Sequence, residues 1–308
     1  MLKPIEVEFS EYIAPDGTVY RFQNGYNKFL VSFSGLGMPD IDFIDETAQH
    51  GRSLLGVRYA QRVIQLIHRR TSKNRDDYWS SRSDILTKLA PSKQYINNFN
   101  SGVLVSRNSR GDIRHIKCLL QKGPEFVARS LGSWDELSFT ETLRFVSDGL
   151  PFFYDPAITT VGISLDSSSH LVFPAYFADE WLFGENAQEG TITVQYSGDV
   201  PTYPQIKIVG PGNGLVIENL STGKKIELGY QISTGEIVYI NTDPGNISIK
   251  ATTGQNLIGS VLDITELATF SITPDVVGGA NELFFRITEG EPGISSVTIS
   301  YRNFYIGI

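Results

Sequence analysis

The sequence predicts a mainly-β protein made of two domains, the first carrying one helix and the second a β-sandwich. Three observations lead there. Val, Ile, Thr, Tyr and Phe fall in short runs, with 18 Phe and 14 Tyr among 308 residues, and these residue types suit a pleated, half-buried surface. Turn signals rich in Gly, Pro, Asn and Asp separate the runs. Charge changes abruptly along the chain. Residues 1–150 hold 20 Lys and Arg against 17 Asp and Glu, residues 151–308 hold 6 against 17, and neither Lys nor Arg lies between Arg144 and Lys207. A chain this long has room for two cores. The charge step, with Pro151 and Pro156, sets the boundary near Phe153–Thr160, giving domains 1–155 and 156–308.

Ala14-Pro15-Asp16-Gly17 is a turn between strands over Ile5–Ile13 and Thr18–Phe22. Phe29–Phe33 is a short strand stopped by Ser34-Gly35-Leu36-Gly37, and residues 53–68 read as strands because Gly56 weakens a helix. A helix is expected over 72–90, with Tyr78, Trp79, Ile85, Leu86 and Leu89 on one face, Asp76 and Asp77 in the early turns and Pro91 as the stop. Val103–Ser106 and Ile113–Leu120 pair across Asn108-Ser109-Arg110-Gly111, and the Phe and Thr content of Leu137–Val146 favours a strand. Beyond Ile158 only strands and turns are expected. They fall at Val161–Leu165, Ile192–Tyr196, Ile206–Val209, Leu215–Glu218, Ile226–Leu228, Ile237–Ile240, Ile247–Ala251, Ala268–Ile272, Glu282–Ile287 and Val297–Tyr301. Short strands at this spacing argue for a sandwich.

Several functional classes are excluded or disfavoured. The N-terminus carries Glu6 and Glu8 without an apolar stretch and is no signal peptide. No run reaches the ~18 apolar residues of a membrane helix, so membrane insertion is not expected. The single cysteine, Cys118, can make no internal disulfide and rules out Cys-based zinc sites. A soluble protein made in a reducing cytoplasm is expected. The acidic second half would repel phosphates, so sequence-specific nucleic-acid binding is not expected.

Catalytic signatures fail one by one. No Gly-x-Ser-x-Gly elbow is present. Gly223-Lys224 lacks the P-loop pattern, with Glu218 and Lys225 at its defining positions. Gly210-Pro211-Gly212-Asn213-Gly214 opens no helix and reads as a turn. Asp40, Asp42, Asp45 and Glu46 are the best carboxylate cluster, but position 45 lacks the glycine of a calcium loop, and a solvated loop is the expectation. His50, His68, His115 and His170 show no helical pairing and read as surface or strand residues. Arg110-Gly111-Asp112 is explained by a hairpin tip. The sequons at Asn219 and Asn246 carry no meaning without a secretory signal. His68-Arg69-Arg70 with Lys73 and Arg75 reads as a solvated face, or more sharply as a contact with another subunit or a partner. Phe173, Tyr176, Phe177, Trp181 and Phe183 read as core or interface packing, with sugar stacking as the sharper option. No catalytic, metal or cofactor-binding residue is assigned, no cofactor is expected, and no partner-binding residues are assigned.

The most informative stretch is Asn219–Thr242. Ser221-Thr222-Gly223 turns into Lys225–Leu228, and Ser233-Thr234-Gly235 turns into Ile237–Ile240. Upstream stand Gly198-Asp199-Val200-Pro201-Thr202-Tyr203-Pro204 and Gln205–Gly210, and downstream Gly279-Ala280-Asn281-Glu282 and Val297–Arg302. This order resembles the C-terminal domain of the distal tail proteins of long-tailed bacteriophages. Gly149-Leu150-Pro151-Phe152-Phe153-Tyr154-Asp155-Pro156 resembles the joint that leaves their N-terminal domain. The resemblance implies an N-terminal sandwich with a helix and an extended β-hairpin that assembles as a ring, and a galectin-like C-terminal sandwich. Residues 38–52 do not align with the family pattern.

The resemblance also implies a structural virion protein at the tail tip. It would be a hexameric hub ring joining the tail tube protein to a tail-tip or tail-associated hub protein and to the receptor-binding apparatus. Charge assigns the ring contacts to residues 1–155, because crowded copies of the acidic half would repel. The residues alone leave alternatives open. One is a carbohydrate-binding module attaching to host cell-wall sugar. Another is a glycan-active enzyme, which needs two facing carboxylates at ~5–10 Å.

Overall fold

A computed structural model describes residues 8–24, 26–48, 51–90, 100–108, 110–124, 138–164, 166–167, 187–291 and 293–308. Contacts divide the chain into two compact units, Met1–Pro156 with Tyr305–Ile308, and Ala157–Phe304. Each is mainly antiparallel β.

In the first unit the strands are β1 (Glu8–Ile13), β2 (Val19–Arg21), β3 (Lys28–Ser34), β4 (Ile41–Ala48), β5 (Gly51–Tyr59), β6 (Val63–Thr71), β7 (Gly102–Arg107), β8 (Ile113–Lys122), β9 (Ser138–Ser147) and β10 (Phe153–Tyr154), with helix α1 (Arg75–Leu89) after β6. One sheet follows the path β2-β1-β7-β8-β9-β6-β3, with β10 attached to β8. Strands β4 and β5 form a separate two-stranded sheet. Alternation sets the faces. In β6, Ile64, Leu66, His68 and Arg70 turn inward, whereas Val63, Gln65 and Arg69 turn outward. The ends of the sheet meet across the core, where the Tyr12 ring of β1 lies 5.3 Å from Phe145 of β9 and Tyr20 of β2 lies 5.9 Å from His68 of β6. The two expected layers therefore come from one sheet folded over itself.

Helix α1 closes this core with Ile85 and Leu89, each burial worth about 1.5–3 kcal/mol. The Asn74 side chain accepts from the Asp77 amide at 2.8 Å and Asp77 accepts from the Lys73 amide at 3.0 Å, satisfying donors at the helix start. The expected apolar face is narrower than its sequence suggested. Ser81, Ile85 and Leu89 are buried, while Trp79 and Leu86 are exposed.

In the second unit the strands are β11 (Thr159–Ser164), β12 (Asp166–Ser167), β13 (Ala187–Gln195), β14 (Gln205–Val209), β15 (Asn213–Asn219), β16 (Lys224–Leu228), β17 (Ile237–Asn241), β18 (Ser248–Ala251), β19 (Ala280–Thr288) and β20 (Ser296–Tyr301). Two five-stranded sheets, β11-β20-β14-β17-β18 and β12-β13-β19-β15-β16, form a sandwich. Ile206, Ile208, Val238 and Val297 from one sheet share a core with Ile217, Ile226, Leu283 and Phe285 from the other. The expectation of strands and turns alone needs correction here. Ala268–Ile272, read as a strand, is instead the end of a short helix, α2 (Ile264–Thr269), and the residues after it. Leu267 and Phe270, three apart, are both buried.

The sequence features of this unit are structural. Gly223 and Gly235 hold φ of 70° and 79° in the two Ser-Thr-Gly turns. Asn281 is buried, accepts from the Thr273 amide at 3.0 Å and donates to the Thr273 carbonyl at 2.8 Å, while Asn219 donates to Ser271 O at 2.9 Å. The two asparagines fasten the 271–273 segment to β15 and β19.

Candidate assembly surface

The β4–β5 hairpin is a surface on which several large apolar side chains are left exposed by the described residues. The carboxylate cluster read as a loop lies on it. Asp42, Asp45 and Glu46 are strand residues of β4, with Asp40 just before it. Phe43 pairs with Val57, Ile41 with Tyr59 and Asp42 with Arg58. Odd-numbered β4 residues thus share one face with Val57 and Tyr59, and even-numbered ones share the other with Arg58. Arg58 Nε donates to Asp42 Oδ2 at 3.2 Å. Ile41, Asp42, Phe43, Asp45, Leu54 and Arg58 line a shallow depression. Phe43 is 67 % exposed, and Ile44, Leu54, Leu55 and Val57 are exposed as well. A two-stranded sheet is marginal alone, and a contiguous apolar patch on a protein surface marks an interaction site.

The base of the hairpin is tied down by Arg62, which carried no sequence signal. Arg62 is 2 % exposed. Its Nε donates to Pro151 O at 2.7 Å, one terminal nitrogen donates to Gly35 O at 2.7 Å and Gly37 O at 2.5 Å, and the other donates to Ile306 O at 2.5 Å. Its guanidinium stacks 4.6 Å from the Phe153 ring. Burial lowers its pKa to about 10, so it stays cationic at neutral pH. Gly35 and Gly37 lie on the chain entering the hairpin and Arg62 lies on the chain leaving it, so one side chain grips both stems. Gly35 has φ +92°, and an added Cβ would lie 2.2 Å from Val63 O. The Ala60 amide donates to Asp40 O at 2.7 Å, and the Tyr59 ring packs edge-on at 5.0 Å from Phe152. The blade is exposed while its root is fixed.

Other sequence candidates are not brought into one site. The basic run is split by the pleat rather than forming one solvated face: His68 and Arg70 are buried, and Arg69 faces out. His68 Nδ1 lies 2.8 Å from Glu141 Oε1 and Nε2 lies 3.0 Å from Phe22 O. Since that carbonyl only accepts, Nε2 carries a proton. His115 sits edge-on to Tyr154. Asn108 Oδ1 accepts from the Arg110 and Asp112 amides and Gly111 has φ 90°, which makes Arg110-Gly111-Asp112 a turn. Gly212 bonds reciprocally to Ile232, so the glycine-rich loop bridges strands and opens no helix. Phe173, Tyr176, Phe177, Trp181, Phe183, His50 and His170 lie outside the described residues. Among the described residues no cluster of His, Cys, Asp and Glu is arranged to hold a metal, and no helix is long and apolar enough to cross a membrane.

By sequence, neither a family model nor a curated protein matches this chain. By structure, several solved chains do. The crystal structure of Dit (gp 19.1) of phage SPP1, presented as a paradigm of the hub adsorption apparatus in phages infecting Gram-positive bacteria, matches with a TM-score of 0.60 and 13 % identity over 97 % of this chain and 99 % of that one. Chains of the phage P2 baseplate in its activated conformation match with TM-scores of 0.47. The form with Ca is 12 % identical over 95 % of this chain and 97 % of its own, and the form with Sr is 14 % identical over 96 % and 98 %. The fold is thus shared with a distal tail protein along the whole length, as the sequence resemblance implies.

Proposed function

We propose that this chain is a structural component of a phage tail tip, a distal tail hub that assembles as a ring through its first unit. Its neighbours along the tail axis would be the tail tube protein and a tail-tip or tail-associated hub protein, with the receptor-binding apparatus attached, and six copies are the expected ring. Its work is assembly rather than catalysis. The observation that carries the reading is the match to Dit over both units, taken with an exposed apolar hairpin rooted by Arg62. Charge agrees: residues 151–308 hold 6 Lys and Arg against 17 Asp and Glu, so close-packed second units would repel, while the first half can interleave both signs.

The test is mass and symmetry of the full chain at high concentration, by light scattering and negative-stain microscopy. A closed ring is expected. The double variant Phe43→Asp with Val57→Asp should keep its circular dichroism and melting temperature, because both side chains are exposed, yet should lose the ring. A wild type that stays monomeric both at high concentration and with its neighbouring tail proteins, or a variant that assembles normally, overturns the proposal.

A further inference from the structure

We infer that the outer face of the sheet β11-β20-β14-β17-β18 in the second unit binds an anionic polysaccharide. Tyr239 supports one sugar ring, and Lys207 and Lys250 pair with acidic groups on either side of it. This site lies outside the ring reading and stands without it.

Strand pairing builds the face. Register sets Gly162, Thr298, Lys207, Tyr239 and Lys250 in one row across all five strands. The next row is Thr160, Ser300, Gln205, Asn241 and Ser248. The residues between them along the strands, among them Ile206, Val238 and Ile249, point into the core, so both rows face outward. The first row has a step in it. Gly162 and Thr298 are short, and Lys207, Tyr239 and Lys250 rise beside them. Tyr239 is 48 % exposed. On the low side the Thr160 and Ser300 hydroxyls lie 3.2 Å apart, and a hydroxyl pair of this kind keeps capacity for further hydrogen bonds.

Charge selects the ligand. Residues 151–308 hold 6 Lys and Arg against 17 Asp and Glu, yet neither row contains an acid, and two of the six cations flank Tyr239. Neighbouring strands lie about 4.8 Å apart, so the two lysine stems stand roughly 10 Å apart with the ring between them. Neither ammonium has a hydrogen bond or ion pair among the described residues. The outer face of the other sheet is the reverse and carries Glu189, Glu218, Glu227 and Glu282. A polyanion is repelled there and admitted at the lysine face.

The side chains separate a polysaccharide from other anions. A flat face suits an extended chain, whereas a small anion needs an enclosed pocket. The Tyr239 ring offers apolar surface to the C–H side of a sugar, and the hydroxyls and amides of the second row match sugar hydroxyls. Nucleic acid carries a charge at every phosphate and would feel the remaining acids of the unit. Its bases also ask for successive aromatic platforms, where these rows offer one. An acidic polypeptide could use the lysines but has no sugar ring for Tyr239.

The test is titration calorimetry of the full chain at low salt, with polygalacturonate as probe and neutral dextran, polyglutamate and oligo-dT as controls. Polygalacturonate should bind, and each control should bind more weakly. Tyr239→Ala should weaken binding about fivefold or more, as loss of an aromatic anchor does, and should leave its salt dependence unchanged. Lys207→Gln with Lys250→Gln should weaken it by a similar factor and flatten the salt dependence, because exposed charges are screened as salt rises. Lys224→Gln with Lys225→Gln removes as much charge from β16 and should leave binding unchanged. All five side chains lie outside the core, so circular dichroism and melting temperature should hold. The inference is overturned if polygalacturonate fails to bind, if any control binds equally well, if Tyr239→Ala binds like wild type, or if the two lysine pairs lose binding equally. Assembly of the ring is untouched by any of these results.

Discussion

Arg62→Met is expected to destabilise the first unit by about 3 kcal/mol, and the loss should concentrate at the root of the hairpin. Methionine keeps the apolar stem beside Phe153 but deletes donors to the carbonyls of Gly35, Gly37, Pro151 and Ile306. A hydrogen bond to a charged group contributes roughly 1.5–3 kcal/mol, and a buried carbonyl left without a donor costs about 1–3 kcal/mol. Four such losses do not add in full. The substitution also removes a desolvated charge, the cause that lowers the arginine pKa to about 10, and water can reach the carbonyls of half-buried Gly35 and exposed Gly37. About 3 kcal/mol is what remains. For a unit of this size 1 kcal/mol is worth about 2–4 °C, so the transition should fall by roughly 6–12 °C. Calorimetry measures the fall, and hydrogen exchange locates it. Amides of residues 34–38, 60–62 and 305–308 should exchange faster, while β7 and β8 keep their order of protection. Arg62→Lys should recover only part of the loss, because a point charge cannot reach carbonyls spread around a planar fork. A loss under about 1 kcal/mol, or exchange that rises evenly through the unit, would refute the claim that this side chain holds the stems.

Four further outcomes follow from the same structure. Gly35→Ala should cost about 3 kcal/mol or more in a denaturant melt, since φ is +92° and the new Cβ would meet Val63 O at 2.2 Å. Asn281→Ala should cost about 2–4 kcal/mol in the second unit by the same assay, because it strands the amide and carbonyl of Thr273. Cys118 is buried and burial raises its thiol pKa. A thiol reagent should therefore leave the native chain unmodified and report opening of the first unit as denaturant rises; prompt labelling would contradict that burial. A fragment spanning residues 157–304 should be soluble, monomeric and melt cooperatively, whereas aggregation would show that the two units share one core.

What was legible in the sequence was whatever writes a period. Ile206 and Ile208, both buried, alternate with less buried neighbours, and a strand over Gln205–Val209 results. Leu267 and Phe270 also carry a period, but a three-residue one, and a short apolar run hid it as a strand. Strand β4 was missed because it has no core to alternate against. Ile41-Asp42-Phe43-Ile44-Asp45-Glu46 is exposed on both faces, so its acids resembled a loop. The apolar–acid alternation of Ile41, Asp42 and Phe43 against Val57, Arg58 and Tyr59 was the signal available. Arg62 left no trace at all, since its acceptors are backbone carbonyls 25 to 244 residues away, and any residue type supplies a carbonyl.

The two units treat their exposed strands in opposite ways, and that contrast supports the division of labour. In the second unit the outer edge of β16 is occupied: the Lys225 amide donates to Glu266 Oε2 at 2.9 Å and Glu227 O accepts from the Leu262 amide at 3.1 Å. The outer edge of β18 is occupied too, with the Ala251 amide on Gln255 O at 3.0 Å and Ile249 O accepting from Leu257 at 2.9 Å. Such covering suppresses pairing with other chains. The first unit instead extends two strands away from its core, leaves their apolar side chains bare, and commits a buried arginine to their root. A lone folded chain gains nothing from that arrangement. A chain that joins its neighbours does, because a hairpin already held in place loses less freedom on docking, and that saving appears as affinity. In the proposed ring, the hairpin is half of a contact whose other half lies on another copy.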